Sequence, residues 1–181
     1  MGKIFTSVLL ILAGFACLYG QNAQYGGQAL SKGSYSLAGS VQYSSSSMSD
    51  NYFSTNIGTI SITPQFTCFV ADHFSLGGFI SYYNITPNIS YGSFGPLLRY
   101  YFYVKDVNPF LEASFDVAIG EHYTNIGFGL KGGVEYFLSG SVAVEPSLAF
   151  DYLTDSMSAN VANSTTTTTF TFGIGINYFI F

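Results

Sequence analysis

Phe170-Thr171-Phe172-Gly173-Ile174-Gly175-Ile176-Asn177-Tyr178-Phe179-Ile180-Phe181 alternates along most of its length. Phe170, Phe172, Ile174, Ile176, Tyr178 and Ile180 fall on one side, and Thr171, Gly173, Gly175 and Asn177 fall on the other. Period-two alternation of this kind predicts a β-strand with one apolar face and one small, polar face. The chain stops on an aromatic residue, whereas chain ends are usually frayed and poorly ordered unless tied down. Its last residues are therefore expected to have an apolar medium on one side and a neighbouring strand to pair with.

Seven earlier runs carry the same alternation, separated by turn signals. Tyr35, Leu37, Val41 and Tyr43 oppose Ser34, Ser36, Ser40 and Gln42. Ile60, Ile62, Phe66 and Val70 oppose Ser61, Thr63, Gln65 and Thr67. The third run, 74–84, has Leu76, Ile80 and Tyr82 on its apolar side, and the fourth, 90–103, has Phe94, Leu98, Tyr100 and Phe102. In the fifth, Leu111, Phe115 and Ile119 face away from Glu112, Ser114 and Asp116. In the sixth, Ile126, Phe128 and Leu130 face away from Gly127, Gly129 and Lys131; in the seventh, Leu148, Phe150 and Tyr152 oppose Glu145, Ser147 and Asp151.

The composition says what surrounds these strands. Charged residues are 8% of the chain, against about 25% in ordinary soluble domains. Aromatic residues reach 18%, all Phe and Tyr. Beyond residue 20 no apolar run is long enough for a membrane helix, which needs about 20 residues. A lipid-exposed chain without such helices can satisfy its backbone only as a closed barrel. The runs also suit a tilted strand, which crosses a bilayer in about 9–11 residues. The expected fold is all-β: an eight-stranded antiparallel up-and-down transmembrane barrel. A soluble barrel of lipocalin type is the alternative, with the apolar stripes turned inward. Eight stripes of Phe and Tyr overfill so narrow an interior, whereas small residues and scattered charges fit it.

Connections of unequal length give the orientation. Residues 71–73, 104–107 and 138–141 are tight, while 44–57 and 154–168 are long and rich in Ser and Thr. Short periplasmic turns and longer external loops are the outer-membrane arrangement, so the odd strands run outward. The N-terminus agrees: Lys3 precedes an apolar stretch from Ile4 to Tyr19, as in a cleaved signal peptide. Cleavage is expected after Gly20; cleavage after Ala16 is the alternative. The domain expectation is a signal peptide at 1–20, a short periplasmic segment at 21–32 and the barrel at 33–181. Location is expected to be the bacterial outer membrane, as a monomer.

The formal net charge is −5, becoming about −6 once Lys3 leaves with the signal. No basic patch exists to neutralise phosphates, so nucleic acid is not an expected partner. Removal of Cys17 leaves Cys68 alone, which rules out a cysteine metal site or an internal disulfide. No His, Cys, Asp or Glu grouping has metal-ligand spacing, and no cofactor motif is present.

Gly95-Pro96-Leu97-Leu98-Arg99-Tyr100-Tyr101-Phe102, Asn108-Pro109-Phe110-Leu111-Glu112-Ala113 and Gly132-Gly133-Val134-Glu135-Tyr136-Phe137-Leu138 resemble the eight-stranded OmpA/OmpX-like outer-membrane barrels. The resemblance covers nearly all of 33–181. It implies lipopolysaccharide and outer-membrane lipid as surroundings, and barrel assembly machinery that reads a C-terminal signal at Phe179 and Phe181. In this chain the apolar stripe of the last strand runs through the even positions instead. Function is poorly specified by the resemblance, because the fold hosts many roles. The expected role is non-enzymatic, with surface-exposed loops contacting an unidentified surface partner. A narrow pore or hydrophobic-solute conduit is the alternative.

A third reading comes from Gly120-Glu121-His122-Tyr123-Thr124-Asn125, which resembles the His-x-Ser-Asn motif of lipid A deacylases. It would make His122 the base and Thr124 the nucleophile. Thr124 replaces serine and is more hindered, and the nearest downstream acid, Glu135, is expected deep in the barrel.

The inward-facing charges form the remaining candidate site. A short turn at 104–107 sets Arg99 opposite Glu112. Pairing Gly120 with Gly127 then sets Glu112 opposite Glu135 and Asp116 opposite Lys131, and the next turn sets Glu145 opposite Glu135. The expectation is a lumen belt of Arg99, Glu112, Glu135 and Glu145, with Asp116 and Lys131 one layer outward. Buried charges are costly unless they meet each other or trapped water.

Overall fold

The alternating runs pair in sequence order, and the last closes on the first. In this computed structural model, residues 26–49, 54–85, 89–102, 104, 107–119, 124–155 and 166–181 are described. After a single helical turn, α1 (Gly26–Ala29), come β1 (Tyr35–Ser49), β2 (Ser54–Ala71), β3 (Phe74–Ile85), β4 (Ile89–Tyr101), β5 (Asn108–Ile119), β6 (Thr124–Phe137), β7 (Val142–Asp155) and β8 (Thr166–Ile180). Every neighbour is antiparallel, and β1 pairs with both β2 and β8 to close the barrel. Closure leaves no edge strand, so the ladder can continue around the whole wall.

The wall is inside-out relative to a soluble protein. Val41, Ile62, Ile80, Phe94, Leu111 and Ile176 point outward and exposed, while Ser40, Thr63, Ser81, Ser93, Glu112 and Asn177 are buried in the lumen. A soluble barrel with inward apolar stripes would show the reverse burial. Only a hydrocarbon surround makes so continuous an apolar exterior favourable.

Two ends can be told apart. The turn end holds both termini of the barrel and the connections at 72–73, 102–107 and 138–141. At the 72–73 hairpin His73 takes the left-handed conformation, with φ 64°, which a tight two-residue reversal demands of at least one residue. The other end, the loop end, carries the connections at 50–53, 86–88, 120–123 and 156–165, which lie outside the described residues.

Two sequence expectations are corrected here. The segments 44–57 and 154–168 were expected to be loops, but the strands run well into them. Ser44 pairs with Thr59 and Ser49 with Ser54, and Thr154 pairs with Thr166. Backbone pairing does not need an apolar outward face, and Thr favours extended structure, so the ladder outruns the apolar stripe. The β5–β6 register is the second correction. Glu112 lies opposite Lys131 rather than Glu135, and Asp116 opposite Gly127 rather than Lys131. The observed register places opposite charges across from each other, where the expected one paired two carboxylates.

Candidate functional site

The short β4–β5 connection fixes Arg99 opposite Glu112. Both point inward, because the alternation that sends Leu98 and Leu111 to lipid sends their neighbours to the lumen. Glu112 sits across the β5–β6 seam from Lys131. The β6–β7 register, with Gly133 opposite Ser147 and Tyr136 opposite Val144, carries Glu135 and Glu145 to facing positions. Five ionisable side chains from four strands therefore converge in the lumen.

Arg99 is the hub, with 2% of its surface exposed. Its Nε donates to Glu112 Oε2 at 2.7 Å, and its Nη1 donates to Glu145 Oε2 at 2.6 Å. The second Glu145 oxygen accepts from Nη2 at 3.5 Å, and Gln65 Oε1 accepts from Nη2 at 3.2 Å. Nη1 also donates to the Tyr101 hydroxyl at 3.1 Å. The fork geometry of a guanidinium suits this multiple engagement, which an ammonium could not reproduce. Arg99 additionally lies 4.2 Å above the Phe110 ring, a desolvated cation–π contact.

Lys131 completes the ring. Its Nζ is 3.1 Å from both Glu112 Oε1 and Glu145 Oε1. Glu135, fully buried, stands 3.6 Å from Arg99 Nη1. Its nearer contacts are neutral donors: Asn177 Nδ2 at 2.6 Å and the Tyr101 hydroxyl at 3.4 Å. Asn177 Nδ2 also reaches Glu145 Oε2 at 2.9 Å. Three carboxylates thus meet two cations, and an amide and a phenol supply donors where cations fall short.

Asp116 stands apart from this cluster. Ser93 Oγ donates to it at 3.4 Å. It borders a cavity of about 40 Å³ on the loop side of the belt, which Glu112 and Lys131 of the belt also line, together with Asp151, Tyr83 and Gln42. The cavity is polar and has room for only a few waters. A Cβ at Gly129 would crowd Ser114 Oγ and come within 2.6 Å of Asp151 Oδ1, so both side chains would have to turn aside.

On the turn side the belt rests on an apolar floor. Phe69, Tyr101, Phe110, Phe137, Ala143 and Phe179 close it from the walls, and Ala29 and Leu30 fill it from the N-terminal segment. Ring centroids lie 5.0 Å apart for Phe137–Phe179 and 5.7 Å for Phe69–Tyr101. Tyr101 joins the two layers: its ring belongs to the floor and its hydroxyl to the belt.

The sequence expectation placed Arg99, Glu112, Glu135 and Glu145 together, and the structure brings these four together with Lys131. It leaves Asp116 on the cavity side. Gln65 and Asn177 were recognisable as inward-facing, but nothing in the sequence matched them to these carboxylates. Phe179 turns into the floor, while Phe181, 59% exposed, lies just past β8. His122 lies outside the described residues. Thr124 opens β6 opposite Ile119. Among the described residues, no three His, Cys, Asp or Glu side chains are grouped to hold a metal.

No family model and no curated protein sequence matches the chain. Solved structures do. Neisserial surface protein A is 16% identical with a TM-score of 0.60, over 81% of this chain and 99% of that one. Outer membrane protein OprG from Pseudomonas aeruginosa is 13% identical with a TM-score of 0.53, over 84% of this chain and 98% of that one. Outer membrane protein AlkL is 13% identical with a TM-score of 0.52, over 90% of this chain and 94% of that one. At such identities what is shared is the fold. With its own apolar outer wall, that fold makes this chain a small eight-stranded β-barrel of the bacterial outer membrane.

Proposed function

We propose that the protein is an OmpA/OmpX-like barrel that catalyses no reaction and passes no solute. It acts as a rigid membrane scaffold presenting its loop-end connections to the outside. The observation that carries this reading is the double obstruction of the lumen, a cross-linked charge belt above an aromatic floor. A pore needs a continuous wet path, and a hydrophobic-solute conduit needs an apolar one; belt and floor oppose each in turn. In this reading the turn end faces the periplasm. Lipopolysaccharide and a surface partner meet the loop end, and assembly machinery delivers the barrel as a monomer.

Flux into proteoliposomes tests the proposal. Entry of small sugars and of a medium-chain alkane should match that into protein-free vesicles. Sugar entry above that level would favour a pore, and alkane entry a conduit. Lipid A from cells with and without the protein should give the same mass spectrum. Loss of an acyl chain only when the protein is present would favour the enzyme built on His122 and Thr124.

A further inference from the structure

The floor is not made by the barrel wall alone. Leu30 is the one large aliphatic residue between Gly26 and Ser34, and it is fully buried among aromatic rings carried by β2, β4, β5, β6 and β8. The segment that carries it is folded on itself. Ser31 Oγ donates to Gly27 O at 2.5 Å, and Ser34 Oγ donates to Gln28 O at 3.0 Å. Gly33, at φ 94°, turns the chain from this knot into β1, a conformation that a side chain strongly disfavours.

The fastening is one-sided. His73 N donates to Leu30 O, and Lys32 N donates to Asp72 Oδ1, each at 2.8 Å. Gly33 N donates to Phe69 O, and Phe69 N to Ser34 O, again at 2.8 Å. All four bonds go to the end of β2 and its hairpin. Toward the opposite wall, Ala29 and Leu30 share one buried apolar cluster with Ala143 and the rings of Phe137 and Phe179. Polar bonds on one side and apolar contact on the other describe a cap hinged at one point of the rim.

We infer that residues 26–34 are a plug, hinged on the β2–β3 hairpin, whose Leu30 closes the turn-end mouth and keeps water from reaching the charge belt from that side. The belt owes its strength to dryness, because charges that water can reach interact weakly. Tyr101 couples the layers directly, through its floor-bound ring and belt-bound hydroxyl. Opening the plug therefore weakens the Arg99 network without altering any member of it. The plug closes the mouth whatever the loops bind, so its test and the flux test fail separately.

The test places a reporter in the floor. Ala143→Cys in a Cys68→Ala background puts a single thiol in the buried floor that Leu30 helps to fill, and a charged, membrane-impermeant methanethiosulfonate probes it in the folded barrel. With Leu30 present the thiol should stay unreacted over the time an exposed control cysteine is consumed. Leu30→Asp should speed labelling at least tenfold, and Leu30→Ala should give an intermediate rate if the Asp variant does not fold. In parallel, the urea-midpoint shift caused by Arg99→Met should shrink by half or more when combined with Leu30→Ala. Fast labelling with Leu30 intact would overturn the plug. Equal labelling rates with and without Leu30, or an unchanged Arg99→Met shift, would overturn it too.

Discussion

Replacing Arg99 with alanine leaves Glu112, Glu135 and Glu145 facing a single cation. Lys131 stays within 3.1 Å of Glu112 and Glu145, but Glu135 is left with the neutral donors Asn177 and Tyr101 among the described residues. Breaking a buried ion pair by deleting one partner costs about 3–5 kcal/mol. Arg99 bonds two carboxylates directly, so about 4 kcal/mol is a fair expectation. With a urea dependence of about 2 kcal/mol per M for a domain of this size, the midpoint should fall by about 2 M. Reversible urea unfolding in detergent, followed by heat-modifiable migration on gels, measures it. Arg99→Met fills the space without the charge and should cost nearly as much, which separates stranded charge from an empty cavity. Adding Glu112→Gln to Arg99→Ala should recover part of the loss. A midpoint unchanged by Arg99→Ala would mean that water already screens the belt, and the reasoning from burial would fall.

Other expectations follow from the two ends of the barrel. An epitope tag inserted in the 50–53 or 156–165 connection should be stained on intact cells, and one at Asp106 should not; staining at Asp106 without permeabilisation would reverse the topology. Phe179→Ala removes ring contacts with Phe137 and Phe69 and should cost about 3–5 kcal/mol of barrel stability. Phe181→Ala should leave the urea midpoint nearly unchanged, because Phe181 lies exposed beyond β8. It should instead lower the amount of assembled barrel in the outer membrane. Equal assembly levels for wild type and Phe181→Ala would remove this residue from the assembly signal.

The strand faces were legible because period-two alternation is a local property that burial on one side enforces. Arg99 opposite Glu112 was legible too, since a tight turn leaves little freedom in register. The β5–β6 register was not. A slip of an even number of residues keeps every side chain on its own face, so alternation fits Glu112 opposite Glu135 as well as Glu112 opposite Lys131. Cross-strand charge could have decided it, because the first pairing sets like charges together and the second sets opposite ones. The reach of β1 and β2 past Tyr43 and Ile60 was hidden because Ser and Thr serve loops and strands alike. The plug was hidden for a different reason. Ala29-Leu30 is a lone apolar pair in a small, polar stretch, with no period to mark it, and its meaning comes only from the mouth it enters.

The central claim is a lumen closed across its whole width. Planar-bilayer recording of the purified protein tests that claim most directly. An eight-stranded barrel is just wide enough for its own side chains to fill, and here Arg99 spans the lumen from β4 to Glu145 on β7. The account predicts a baseline indistinguishable from that of a bare bilayer, with steps appearing only when Arg99 and Leu30 are both replaced. Stable, large single-channel steps from the wild-type protein would contradict it.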